Sequence, residues 1–301
     1  MEVHPTGEFA NQAKDYDHIT AVPLGAAMGA EIQGVDVTDL TDVAVAEIKD
    51  ALYRHKMIYF RDQDISHTDQ ENFTRHFGEF GKDAYTPGVD GHPEVQPVLK
   101  EADSKAHMIF GGAWHTDSPF LERPPAITIL FGRDIPPFGG DTMWANCELA
   151  YAFLSDTMKE TLSRLRVHMS ARTVLAEVKK GAEKFGEKSL GGTPLQFDPE
   201  PMIAGAKHPL IRTHPETGEK AIYADDAYSV SIDGMTEPEA DTILRFLRHH
   251  VTQPAFTCRL RWEPHTLAVW DNRLCLHHAF NDHDGYRREM YRTTVLGEVP
   301  V

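Results

Sequence analysis

Cysteine is scarce in this 301-residue chain: Cys147, Cys258 and Cys275 are odd in number, far apart and form no CxxC pair. That excludes a disulfide framework and a thiolate zinc cluster. It fits a reducing cytoplasm with three buried thiols behaving as small apolar side chains. Long apolar runs are absent, and nothing approaches the roughly 20 residues of a membrane span. Positive charge is also short, 30 Lys and Arg against 46 Asp and Glu, a net charge of −16. An acidic chain repels phosphate backbones, so nucleic acid is disfavoured as a partner. There are no repeats or low-complexity tracts. Residues 1–18 are polar and acidic, lack the charged-then-apolar start of a secretory signal, and read as a loosely held leader. What is present, 41% hydrophobic and 25% charged residues, is ordinary for a folded soluble protein. The length suits a single domain over 1–301 with one sizeable core.

Local patterns alternate between helix and strand. Residues 19–38 mix short β-type runs with glycines. "TDVAVAEIKDALYRH" (41–55) predicts an amphipathic helix capped by Thr41, with Val43, Ile48, Ala51 and Leu52 at helical spacings. "KMIYFRDQ" (56–63), "AITILF" and "FGGDTMWAN" (138–146) read as strands with a Gly-Gly turn. Helices are expected at 147–155, 156–166 and, capped by Thr236, at 236–250. Residues 208–225 read as strand, turn, strand. "FTCRLRW", "TLAVWDN" and "REMYRTTVLGE" are three further strands. Residues 172–196, rich in lysine, glycine and glutamate, are expected to be a long loop and a candidate lid. The fold class is α+β, mainly β: a β-sandwich or jelly-roll core with helical additions.

The tripeptide His-Thr-Asp occurs twice. In "DISHTDQENF" (64–73) it follows a strand and opens a helix. Ser66 and Thr68 offer a hydroxyl cap, Asp69 complements the helix dipole and His67 is expected in solvent, so no metal is needed to explain them. In "AWHTDSPF" (113–120) the surroundings are a Gly-Gly pair, aromatics and a proline, without helical periodicity. On an extended segment His115 and Asp117 point to one side and can aim a nitrogen and an oxygen at one point. A third ligand is available from "LAVWDNRLCLHHAFND", as His277 or His278. Two histidines and one carboxylate leave three positions open on an octahedral ion, the arrangement of non-haem Fe(II) oxygenases.

Several motifs in order resemble one family, the Fe(II)- and 2-oxoglutarate-dependent dioxygenases that include taurine dioxygenase and the aryloxyalkanoate dioxygenases. They are "GAEIQGVDV", "IYFRDQ", "FGEF", "WHTDSPF" followed by "PPA", "GGDTMW", "HPLIRTHPETGEKAIY" and "WDNRLCLHHAFND" with "RREMYRTTVLGE", spanning Ile19 to the end. The resemblance implies a double-stranded β-helix (jelly roll) core with flanking helices. It implies His115, Asp117 and His277 as iron ligands, with His277 favoured over His278. Thr142 and Arg288 would hold 2-oxoglutarate, and Arg292 the anionic group of the primary substrate. The cosubstrates implied are 2-oxoglutarate and O2, the products succinate, CO2 and a hydroxylated substrate, and the assembly a dimer or tetramer. Arg288 and Arg292, four apart on a strand, share a face, and a planar fork suits a carboxylate better than lysine does. Asp117 stands where related halogenases carry a small residue, which favours hydroxylation. The taurine enzymes carry a histidine after "FGE" and polar residues before "WHTD". Here "GKDAYTPG" and Phe110-Gly111-Gly112-Ala113 stand instead, which favours a larger or more apolar organic acid, an aryloxyalkanoate or alkyl sulfate, over taurine. Tyr85, Phe110 and Tyr228 are the candidate pocket walls. Two rival readings remain: a catalytically silent binding protein, and a zinc-type hydrolase that would leave Arg288 and Thr142 without a role.

Overall fold

The computed structural model describes residues 7–104, 111–185 and 193–301. In chain order the strands are β1 (Thr20–Pro23), β2 (Ala30–Gln33), β3 (Met57–Phe60), β4 (Gln96–Lys100), β5 (Pro125–Asp134), β6 (Thr142–Asn146), β7 (Arg166–Met169), β8 (Ala206–Pro209), β9 (Ile211–Thr213), β10 (Lys220–Ile222), β11 (Ser229–Ile232), β12 (Thr257–Leu260), β13 (Thr266–Asp271), β14 (Cys275–Ala279) and β15 (Arg288–Leu296). The helices are α1 (Asp42–His55), α2 (His67–Arg75), α3 (Cys147–Ala152), α4 (Asp156–Leu162), α5 (Arg172–Phe185), α6 (Pro199–Ala204) and α7 (Glu237–Val251). The protein is mixed α and β, mainly sheet.

A seven-stranded sheet in the order β1-β2-β3-β13-β5-β15-β4 forms the main layer, antiparallel except where β2 meets β3. Its central strands β3, β13 and β5 are mostly apolar and almost wholly buried because both faces are covered. Met57, Tyr59, Leu130, Ala268 and Trp270 enter one core, while Ile58, Phe60, Ile129, Phe131, Leu267 and Val269 enter the other. The period-2 alternation of strands sorts them. The second core is closed by α1 and α2, through Ile48, Leu52 and Phe73. The first faces the three-stranded sheet β12-β6-β14, with Trp144 on β6 meeting Trp270 on β13 at 5.6 Å between ring centroids. Phe73 is 1% exposed and packs edge-on against Phe60. Phe73→Ala is expected to cost about 3–5 kcal/mol, read as the shift of the urea midpoint at constant slope.

Helix starts follow the sequence. The Thr41 hydroxyl accepts the Ala44 N–H, and Ser66 and Asp69 form a reciprocal capping box. Four expectations need correction. Residues 7–18 are tied down rather than loose: the Asn11 side chain bonds the Gly25 and Gly29 carbonyls and His55, and Tyr16 bonds Asp50. Val43 points to solvent at 53% exposure, and Ala44 and Val45 take its place on the buried face of α1. His67 is half-buried against Tyr291, ring centroids 4.4 Å apart. Residues 172–185, expected as loop, form α5. Leu, Ala, Glu and Lys are good helix formers, and Val174, Leu175 and Val178 place an apolar stripe that seats buried Leu175 in the core. Among the described residues no helix is long and apolar enough to cross a membrane.

Candidate active site

His115 sits on an extended segment that pairs with β14 through reciprocal backbone bonds, His115 N–H to the His277 carbonyl at 3.0 Å and His277 N–H to the His115 carbonyl at 2.8 Å. The pairing brings the two imidazoles together, with centroids 4.0 Å apart and planes tilted by 45°. Asp117, two residues on, turns its Oδ1 toward both, 3.9 Å from His115 Nε2 and 3.8 Å from His277 Nε2. Among the described residues these three are the group whose ligand atoms, all within 4.8 Å of one another, could hold a metal. The His67 copy forms no such group.

Two of the three donors are oriented from behind, as metal ligands usually are, while His277 Nδ1 has no hydrogen-bond partner among the described residues. His115 Nδ1–H donates to the Ala113 carbonyl at 2.8 Å, which leaves Nε2 as the bare nitrogen. Asp117 Oδ2 accepts the Thr128 hydroxyl at 2.6 Å, Thr128 accepts Asn272 Nδ2–H at 2.7 Å, and Asn272 accepts Trp270 Nε1–H at 2.9 Å. Burial would raise the Asp117 pKa, but His277, Arg292, His115 and the Thr128 hydroxyl hold it down at about 2. It is therefore an anion at neutral pH. Burial, and then His115, keep His277 neutral, its pKa well below the usual imidazole range. Two imidazoles and one carboxylate on one side leave the facing positions of an octahedral ion to other ligands, which suits Fe(II).

Alternation along β14 separates the paired histidines. His277 turns inward against Trp270, centroids 4.8 Å apart, while His278 turns out to Trp114 and Phe280 at 5.6 and 4.9 Å. A cavity of about 70 Å³ lies over the three donors. Thr142, Arg288, Arg292, Tyr85 and Tyr228 line it with them, and Phe110 lies outside the described residues.

Arg288 begins β15 and is 7% exposed, yet its Nε has no hydrogen-bond partner among the described residues. Burial depresses its pKa to about 10, against only a distant pull from Asp141. A guanidinium held in this state fits a carboxylate that arrives with a ligand. Beside it the Thr142 hydroxyl accepts Trp262 Nε1–H at 2.9 Å, so its own proton is left for a ligand, and the Trp262 ring lies 6.0 Å from the Arg288 guanidinium. Gly140 (φ +67°) admits this close packing: a Cβ there would stand 3.3 Å from Arg288 Nε.

Arg292, four residues on, shares the face as expected. Its guanidinium is ion-paired with Asp83, and Nη1 lies 3.3 Å from Asp117 Oδ1. Tyr85 and Tyr228 join hydroxyls at 3.0 Å, and burial keeps Tyr228 protonated. Asp225 accepts the Tyr228 and Ser229 N–H groups at 2.8 and 3.0 Å and so anchors the Tyr228 turn. Sequence reasoning did not select Thr128, Asn272, Trp262 or Asp83. Thr128 had a visible signal, a lone hydroxyl inside the apolar run "AITILF"; Asp83 had none.

The model of the "Taurine catabolism dioxygenase TauD, TfdA family" matches residues 20–294. The chain belongs to that family. Its activity class is accordingly that of a 2-oxoglutarate-dependent dioxygenase. The alpha-ketoglutarate-dependent sulfate ester dioxygenase of Pseudomonas putida is 33% identical over 285 residues, covering 93% of this chain and 90% of that one. An alkylsulfatase of Acinetobacter baylyi is 31% identical over 289 residues, covering 92% and 84%. The crystal structure of a taurine dioxygenase from Burkholderia xenovorans superposes with a TM-score of 0.78 at 36% identity, covering 95% and 91%. Across the TauD/TfdA match lie the His115–Asp117–His277 cluster, Thr142, Arg288 and Arg292.

Proposed function

We propose that the protein hydroxylates a C–H bond of a small organic anion, of the alkyl sulfate, sulfonate or aryloxyalkanoate type, using Fe(II), O2 and 2-oxoglutarate. The observation that carries this reading is the buried Arg288, whose Nε has no partner among the described residues, lining one small cavity together with three metal-type donors. His115, Asp117 and His277 hold the iron. Arg288 and the Thr142 hydroxyl clamp the distal carboxylate of 2-oxoglutarate and so fix the orientation of its keto-acid end. Arg292 receives the substrate's anionic group, and Tyr85 and Tyr228 form the wall that sets which C–H faces the metal. When bound, iron and 2-oxoglutarate supply the oxidising chemistry, with succinate and CO2 released. The enclosing aromatics exclude water from it.

The large sheet facing the β12-β6-β14 sheet across a shared core fits a double-stranded β-helix. The free, buried cysteines fit a cytoplasmic setting, and a dimer or tetramer is the assembly we propose. A zinc hydrolase reading leaves Arg288 and Thr142 idle, and a silent binding protein has no need of a complete donor set.

Adding Fe(II) and 2-oxoglutarate without oxygen is expected to give the visible charge-transfer band of a chelated keto acid. The band persists in His67→Ala and is lost in His115→Ala. No band in the unmodified protein sinks the proposal.

A further inference from the structure

Asp83 lies behind the cavity rather than on it, and its carboxylate is fully engaged. Oδ1 accepts the Tyr85 N–H at 2.8 Å, the Thr86 N–H at 2.7 Å and the Thr86 hydroxyl at 2.9 Å. Oδ2 takes Arg292 Nη2. The Asp83 side chain is 5% exposed and that of Arg292 15%, so the pair is screened little by water. Arg292 lines the cavity, and its buried Nε has no hydrogen-bond partner among the described residues. One edge of the guanidinium is thus fixed from behind, and one donor is left for a ligand.

The charge balance follows from the same residues. Asp83 and Asp117 bring two negative charges, and Arg288 and Arg292 two positive ones. A divalent metal and the 2-oxoglutarate dianion cancel each other. Counted over these four side chains, the loaded pocket is then neutral before the primary substrate enters, and Asp225, buried behind Tyr228, adds no positive charge. A monoanion leaves one uncompensated negative charge in a low-dielectric site, a dianion two. Without the Asp83 charge the loaded pocket would carry +1 and would accept a monoanion to neutrality.

We propose that Asp83 is the positioning residue that sets anion selection at Arg292. It holds the guanidinium by its far nitrogen, offsets its charge, and so favours singly charged sulfate, sulfonate or carboxylate groups over doubly charged phosphate esters. The inference rests on the functional reading above and deepens it by naming the charge class of the substrate. Specificity of this kind works by penalising the wrong ligand more than by rewarding the right one.

The test uses the anaerobic Fe(II)–2-oxoglutarate protein, titrated calorimetrically with butyl sulfate and with butyl phosphate at pH 8, where the phosphate ester, with a second pKa near 6, is a dianion. The unmodified protein is expected to prefer the sulfate. Asp83→Asn keeps an oxygen to accept the Tyr85 and Thr86 N–H groups but removes the charge. It is expected to narrow the preference at least tenfold, mainly by tightening butyl phosphate. Asp83→Ser, also neutral and able to accept from the turn, is expected to move the ratio the same way. An unchanged ratio, or equal weakening of both ligands, overturns the proposal, as does failure of both variants to fold, since Asp83 would then be an anchor of the turn alone. Binding of neither ester to the unmodified protein overturns the Arg292 subsite as drawn. The charge-transfer band, recorded in every variant, separates these outcomes from failure of the dioxygenase reading, which would abolish the band itself.

Discussion

Arg288→Ala is expected to raise the dissociation constant for 2-oxoglutarate by roughly a hundredfold to several thousandfold, the 3–5 kcal/mol typical of truncating one partner of a desolvated charge pair. Arg288 is already stripped of water in the folded chain, with burial the first cause of its low pKa of about 10. The ligand carboxylate therefore meets a donor whose desolvation was completed on folding. Arg288→Lys keeps the charge but loses the fork and is expected to fall between the two. The same geometry predicts an opposite effect on stability. Arg288→Met removes a buried charge whose Nε lacks a partner among the described residues and fills the space with apolar atoms. It is expected to raise the stability of the ligand-free protein by about 1–3 kcal/mol. Titration of the charge-transfer band and a thermal melt without 2-oxoglutarate measure the two effects. A binding loss without a gain in melting temperature would show that Arg288 is not the strained, ligand-awaiting group described here.

Asp117→Ala is expected to abolish metal binding at micromolar concentrations. It removes the only anionic donor of the cluster and leaves the positive Arg292, whose Nη1 lies 3.3 Å from Asp117 Oδ1, beside the site with Asp83 as its remaining ion-pair partner. Thr128→Val preserves shape but deletes the hydroxyl that holds Asp117 Oδ2 at 2.6 Å. It is expected to weaken the metal by about 10–100-fold, the usual effect of a lost outer partner. His278→Ala is expected to bind metal normally, because His278 faces Trp114 and Phe280. Co(II) titration followed by visible absorption reads all three. Normal Co(II) affinity in Asp117→Ala, or loss of it in His278→Ala, would mean that the donor set is wrong.

How much was legible in the sequence varies with the range of the interaction. The helix starts at Thr41, at 66–69 and at Thr236 were readable because the groups that cap a helix lie within three residues of one another. The sharing of one face by Arg288 and Arg292 was readable for the same reason: strand periodicity is local. The α5 helix was not, because its polar stretch looks unpatterned until Leu175 finds its place in the core. The leader was misread because its anchors, Asp50 and His55, lie 34 and 44 residues away from Tyr16 and Asn11.

The sequence by itself determined the chemistry available: a His-x-Asp on an extended segment, paired late histidines, two arginines on one face, an acidic surface and too few cysteines for any thiolate site. Motif order added the family. The resemblance favoured His277 over His278; the physical reason, that β14 pairs with the His115 segment and turns His277 toward His115 and Asp117, came from the tertiary structure. It alone brought Thr128 and Asn272 behind Asp117, 11 and 155 residues away in the chain, and set Asp83 against Arg292 across 209 residues. Such contacts leave no mark in local spacing. They arise because distant strands must align their buried polar groups with one another once water is excluded.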